Sequence, residues 1–223
     1  MLPKINMKHN IYSMKFIRII KFKSVISFLL LLGVLFGGAS VVSAATANDT
    51  ISSVIPQLIS ITTGTGTVNL PITPTGGGVQ TIGSDTVSVS SNDAAGYSLT
   101  IASANACTTL FTGTCVTPLL TIPASIGTAA APVIQSVNTW GYCATGTYVP
   151  SALSTFCPSA TASNQTISAT NKFAGITTSG ATIGSNGGVV ASNTTTVYFA
   201  VAANTTQGAG TYGSSVVYTL TGL

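Results

Sequence analysis

The stretch DTVSVSSNDAAGYSLTIAS, Asp85–Ser103, decides the fold class of this chain. Apolar residues occupy every second position on both sides of the turn-forming segment SSNDAAG. The alternating apolar residues are Val87, Val89, Tyr97, Leu99 and Ile101. A period of two is typical of strands with one buried and one solvated face. The stretch therefore predicts two antiparallel strands joined as a hairpin.

The same pattern recurs near the end of the chain. Val197, Phe199 and Val201 alternate with other residues, and the segment 212–220 alternates again after a Gly-rich turn. Asn186-Gly187 predicts a tight hairpin turn between two further strands. Short strands separated by turn signals predict an all-β fold, an Ig-like antiparallel β-sandwich of about 7–10 strands.

The N-terminal part of the chain predicts export. Six basic residues precede the apolar run Ser24–Ala44, which ends in small residues. This order is typical of a secretory signal peptide, here a signal-peptide helix with cleavage after Ala44 and alternatives at Ala45 and Ala47. An uncleaved signal anchor is the rival interpretation, since about 20 apolar residues can span a bilayer. The predicted organisation is 1–44 signal peptide, 45–82 N-terminal strands with a Gly-rich joint, and 83–223 β-sandwich, with 45–223 forming one domain.

The charges of the exported part exclude one class of partner. After Ala44 the chain has one lysine, Lys172, against three aspartates, a formal net charge of −2. The basic character of the whole sequence belongs to the signal segment. Without a basic patch to neutralise phosphates, no nucleic-acid binding is expected, and contact with membrane is expected only through an uncleaved signal segment.

All four cysteines lie in the exported part, where an even number predicts disulfides. We favour the pairs Cys107–Cys115 and Cys143–Cys157 because each closes a short local loop. A zinc site is disfavoured by the spacing and by the absence of histidine after residue 44, so no metal and no cofactor are predicted.

The exported part offers few groups for catalysis. It has no histidine, and its carboxylates are Asp49, Asp85 and Asp93. Neither a nucleophile–histidine pair nor a clear carboxylate pair is present, so the sequence predicts no enzyme and no catalytic residue. Lys172 is a candidate for an intramolecular isopeptide bond to an Asn or Asp, while a solvated loop lysine is the simpler interpretation.

The stretch VNTWGYC, residues 137–143, holds the only tryptophan. On a strand, Trp140 and Tyr142 face the same way and Cys143 faces the opposite way. The pair could form a surface on which a sugar ring stacks, with Tyr148 as a third contact. A lone tryptophan in a β-sandwich beside a disulfide is more often a core residue, and we favour that interpretation.

Three segments carry a resemblance to known proteins: SSNDAAGYSLTI, NTWGY and GAGTYGSSVVYTLTG. They resemble a loose family of secreted Ser/Thr/Gly-rich β-sandwich surface proteins of small-genome, host-attached bacteria, over roughly residues 83–223. The ending is also similar to WxL-type wall-binding domains and to pilin-like sandwiches. The resemblance implies a role in cell-surface structure or adhesion and transfers no catalytic residue.

The sequence thus predicts a secreted or cell-surface protein of bacteria with a structural or adhesive role. Its partners would be further copies of itself, joined at sheet edges, or a surface ligand of the host or cell envelope. The alternative is a secreted binding module that recognises a glycan or a host protein through Trp140 and Tyr142.

Overall fold

The computed structural model describes residues 50–223. The predicted signal segment, its cleavage position at Ala44 and the carboxylate Asp49 lie outside the described residues. Ile55–Leu223 form one compact unit.

The described chain is almost entirely antiparallel β-structure, with one short helix, α1 (Ser151–Ser154). This confirms the predicted all-β class. Twelve strands lie between residues 50 and 223, more than expected because β6 and β9 have only two residues each. In chain order the strands are β1 (Ile59–Thr63), β2 (Val79–Ser91), β3 (Tyr97–Ser103), β4 (Leu110–Gly113), β5 (Pro118–Ile122), β6 (Val133–Ile134), β7 (Thr139–Thr145), β8 (Ala162–Gln165), β9 (Lys172–Phe173), β10 (Ala181–Asn186), β11 (Val190–Ala203) and β12 (Val216–Gly222).

The largest sheet has five strands in the order β1-β2-β11-β7, with β8 also paired to β2. Strand β11 covers one edge of β2 along its whole length, while β1 and β8 share the other edge. The division predicted between residues 82 and 83 falls inside β2, which therefore joins the N-terminal segment to the rest of the sheet. A second sheet has three strands in the order β10-β3-β12, and β4–β5 and β6–β9 form two small pairs.

The alternating residues of the opening stretch have the predicted burial but not the predicted pairing. Val87 and Val89 of β2 and the alternating apolar residues Tyr97, Leu99 and Ile101 of β3 are at most 2 % exposed. Strand β2 belongs to the five-stranded sheet, however, and β3 to the three-stranded sheet. The predicted β2–β3 hairpin is therefore wrong. The five residues between Ser91 and Tyr97 carry the chain from one sheet to the other instead of pairing the edges of the two strands.

The hairpin predicted at Asn186-Gly187 is also wrong. Strand β10 pairs with β3, and β11 pairs with β2 and β7, so this turn also carries the chain between sheets. The two connecting turns touch at Gly96, which has a φ of 97°. A Cβ atom at Gly96 would lie 1.8 Å from the carbonyl oxygen of Asn186, so only glycine fits there.

Both sheets contribute to one hydrophobic core cluster. The inward residues of β3 are fully buried, and β2, β7 and β11 supply the facing side chains. Full burial of a valine, leucine, isoleucine or phenylalanine side chain stabilises a fold by about 1.5–3 kcal/mol, so this cluster is the main source of stability.

Candidate functional site

The stretch that holds the tryptophan forms β7, a strand of the five-stranded sheet. Trp140 pairs with Val201 of β11 and is 3 % exposed. Its indole Nε1 donates a hydrogen bond to the carbonyl oxygen of Thr108 at 2.9 Å. The ring is therefore a core residue whose one polar atom has a partner, as expected for a buried tryptophan.

Tyr142 lies two residues further along β7 and is completely buried. Burial raises the pKa of its phenol to about 12. No hydrogen-bond partner for this hydroxyl lies among the described residues. Tyr142 therefore combines a well-packed ring with an unpaired polar atom.

Tyr148 is half-buried and contacts the core tyrosine Tyr97 edge-to-face, with the ring centroids 6.5 Å apart. The three predicted contact residues thus do not form one exposed aromatic surface. Trp140 and Tyr142 share a face, as the sequence indicates, but that face is the core. In this conformation neither ring can stack on a sugar.

The outer edge of β7 is covered as well. The backbone N–H of Trp140 donates to Pro123 and its carbonyl accepts from Ser125, while Tyr142 exchanges two hydrogen bonds with Ala174. The segments that follow β5 and β9 therefore cover this edge and hold the tryptophan stretch inside the fold.

The two disulfides are Cys107–Cys115 and Cys143–Cys157, the same pairs that the local-loop argument favours. The first joins cysteines with a sequence separation of 8, and the loop it closes contains Thr108, the acceptor for the Trp140 indole. The second has a separation of 14 residues and joins buried β7 to the segment after α1. In the chain-entropy account each stabilises the fold by about 2.5–3 kcal/mol.

The two described carboxylates hold loops in place. Asp85 is 6 % exposed and accepts hydrogen bonds from the backbone N–H groups of Thr65 and Thr86, both at 2.8 Å. Asp93 accepts a hydrogen bond from the N–H of Ala95 at 2.9 Å in the β2–β3 turn, and a further one from the side chain of Gln57. The two carboxylates thus act in separate turns.

Lys172, the candidate for an isopeptide bond, lies in β9. Its Nζ is 4.1 Å from the centroid of the Phe156 ring, a cation–π contact. The ring is 46 % exposed and Lys172 is itself partly exposed, but this lysine lies in a short strand and not in the loop that the simpler interpretation expects. The isopeptide bond stays a prediction. Within residues 50–223, no group of three potential metal ligands is close enough to hold an ion.

Three surface features lie outside the predicted site. An open groove of about 420 Å³ beside the first half of β2 is lined mainly by hydroxyl and amide side chains, including Thr65, Asn69 and Ser163. The β4–β5 hairpin exposes Val116 and Leu119, at 89 % and 82 %. The sequence pattern that could have predicted this exposed apolar hairpin is the stretch CVTPLLTI, in which apolar residues lie beside a cysteine and a proline.

The third surface feature is the outer edge of β12, the last strand of the three-stranded sheet. Its inward residues Val216, Tyr218 and Leu220 are only half-buried. Ile101 and Leu99, the partners of Tyr218 and Leu220 in the neighbouring strand β3, are completely buried. The core is thus less covered at this edge than at its centre.

Comparison of the chain with protein-family models, with curated proteins and with solved structures gives no match. Among residues 50–223, no helix is long and apolar enough to cross a membrane.

Proposed function

We propose that this chain is an exported, non-enzymatic β-sandwich protein of the cell surface or extracellular space, with a structural or adhesive role. In this proposal the five-stranded and three-stranded sheets are the two layers of an Ig-like sandwich. The observation that carries the proposal is the pair of local disulfides packed on an all-β core. Disulfides form and persist in oxidising compartments, and the apolar run Ser24–Ala44 supplies a route to one.

The contacts of the ionisable side chains support a structural role. Asp85 and Asp93 accept hydrogen bonds that fix turns, and Lys172 covers an aromatic ring. Acid–base or nucleophilic catalysis requires such groups to converge on one exposed point. Here each is engaged separately in holding the fold.

The same structure favours this role over a binding module that uses Trp140 and Tyr142. Both rings are buried and support the sheet from inside. The exposed apolar side chains of the β4–β5 hairpin are a better source of adhesive surface, because contiguous exposed apolar groups mark contact sites.

The proposal is tested by expressing the full chain with its own leader in a bacterial host. We expect the protein in the surface or medium fraction, sensitive to protease added to intact cells, with none of its four cysteines open to alkylation. A matched control lacks residues 1–44 and should stay in the cytosol. Cytosolic retention of the full chain with free thiols would overturn the proposal. The intact mass of the exported form also reports whether cleavage follows Ala44.

A further inference from the structure

The outer edge of β12 presents unpaired backbone groups. The carbonyl of Ser215 accepts from the N–H of Ala104 at 2.9 Å, and the N–H of Leu223 donates to Gly96 at 3.2 Å. In an antiparallel ladder such bonds recur at every second residue. The odd-numbered residues of β12 therefore bond to β3, and the N–H and C=O groups of the even-numbered residues point away from it. Between residues 50 and 223, no strand pairs with β12 on that side.

This edge carries no charge, proline or bulge, although β1 lies close to β12 and the Gln57 side chain lies against Gly222. Its sequence, VVYTLTG, contains no charged residue and no proline, and its register with β3 is regular throughout. Lysine, proline and bulges are the usual means of preventing another strand from adding to an edge. The β7 edge, in contrast, is covered by the chain itself.

The inward face of β12 is only half-buried, so burial of its apolar side chains would also favour the addition of another strand. Tyr218 and Leu220 point toward the core yet stay partly exposed, and Val217 on the outer face is 43 % exposed. An added strand would cover these side chains and supply partners for the free backbone groups together.

We propose that β12 pairs antiparallel with β12 of a second copy about a two-fold axis at Thr219. The inference rests on the proposed structural role and names the partner for it. Thr219 is the midpoint of Val216–Gly222, so this register pairs the whole strand. Even-numbered residues then oppose even-numbered residues, and the outward N–H and C=O groups of each strand meet those of the other.

The strand is complementary to itself in this register. Tyr218 lies opposite the partner's Leu220 on the inward face, an aromatic–aliphatic pair of the kind that stabilises sheets. On the outer face Val217 lies opposite the partner's Thr221, and Thr219 opposite the partner's Thr219. No like charges meet, because the strand has none. The result is a continuous six-stranded sheet in the order β10-β3-β12-β12-β3-β10.

Single cysteine substitutions test the register. At the two-fold axis, Thr219 and the partner's Thr219 form a non-hydrogen-bonded pair with Cα atoms about 4.5 Å apart, within the range of a disulfide. Two copies of Thr221 would be about 14 Å apart, too far for one. Both side chains are exposed, and all four native cysteines are paired, so a cross-link must come from the new thiol.

We expect the exported T219C protein to run as a covalent dimer on a non-reducing gel and T221C to run as a monomer. A second variant, T219K, places two ammonium groups at the axis. It should weaken the dimer at least tenfold in light scattering, with the melting temperature of the monomer unchanged.

Equal cross-linking of both cysteine variants, or a wild-type protein that stays monomeric, overturns the proposal. Assembly without the T219C cross-link also overturns it, as expected if residues 50–55 of another copy occupied the edge instead. Export and cysteine oxidation are measured in the same strains. If both persist while the cross-link fails, only the β12 pairing is wrong; retention in the cytosol means that the proposed function is wrong.

Discussion

Replacement of Tyr142 by phenylalanine should stabilise the fold, whereas the same replacement at Tyr97 should destabilise it. Both rings are completely buried. The hydroxyl of Tyr142 has no partner among the described residues, while that of Tyr97 accepts a hydrogen bond from the Asn193 side chain at 2.9 Å. The two variants thus remove the same atom from two buried sites that differ in hydrogen bonding.

The expected magnitudes follow from the cost of burying an unpaired polar group. An unsatisfied buried hydroxyl costs about 1–3 kcal/mol. Removal of the Tyr142 oxygen relieves that cost but leaves a small void, so we expect a gain of about 1 kcal/mol. At Tyr97 the change deletes a hydrogen bond and leaves the amide of Asn193, which is 7 % exposed, without its tyrosine partner. We expect a loss of about 1–2 kcal/mol there.

Urea unfolding followed by far-ultraviolet circular dichroism measures both changes. For a domain of this size, 1 kcal/mol corresponds to about 2–4 °C in melting temperature, so a thermal scan gives an independent value. The slope of free energy against urea should stay constant, because neither variant alters the surface exposed on unfolding. If Y142F loses as much stability as Y97F, the hydroxyl of Tyr142 has a partner and the reasoning is refuted.

Alkaline pH should destabilise the protein, because burial raises the pKa of Tyr142 from 10.0 to about 12. The stability that depends on the neutral phenol is fully present below pH 10 and is lost as the pH rises toward 12. The unfolding free energy, measured with urea at each pH, should fall more steeply with pH for wild type than for Y142F, by about 1.4 kcal/mol per pH unit. Equal pH dependence of the two proteins would count against a raised pKa for Tyr142. Replacing Cys143 and Cys157 together by alanine should cost about 3 kcal/mol, measured as a lower urea midpoint; an unchanged midpoint contradicts the entropic account. Trp140 should emit at short wavelength and resist acrylamide quenching in the native protein, because it is 3 % exposed; a readily quenched native emission would place the ring in solvent. Intact mass spectrometry should show no loss of ammonia or water attributable to an isopeptide bond at Lys172, and a deficit of either would mean that the bond forms.

Local patterns in the sequence predicted the features that depend on neighbouring residues. The burial of Val87 and Leu99 follows from period-two alternation, because a side chain's face is fixed by its position along the strand. The pairing of Cys107 with Cys115 follows from the short loop between them. The same kind of argument placed Trp140 in the core beside a disulfide, where the structure has it.

Long-range pairing could not be predicted, because alternation gives the face of a strand and not its neighbours. No sequence pattern near Asn92 or Gly187 indicates that the β2–β3 and β10–β11 turns each connect two different sheets. Nor does the sequence reveal the buried amide chain in which Gln80 donates to Gln135 and accepts from Gln165. Those three residues are separated by long stretches: the register of β2 with β8 places Gln80 opposite Gln165, and Gln135 reaches Gln80 from the segment after β6. Isolated glutamines in a Ser/Thr-rich chain look like surface residues.

The composition of the chain after residue 44 connects its small number of ionisable side chains with its open edge. A chain with one lysine and three aspartates after residue 44 has few charges with which to assemble a reactive centre. For the same reason it has few charges with which to protect strands, and β12 carries none. Where the chain covers an edge, as at β7, it uses backbone hydrogen bonds from its own loops. Because β12 carries no charge and no described strand pairs with its outer edge, a strand of the same pattern would match its free N–H and C=O groups, and in our proposal a second copy of this chain supplies that strand.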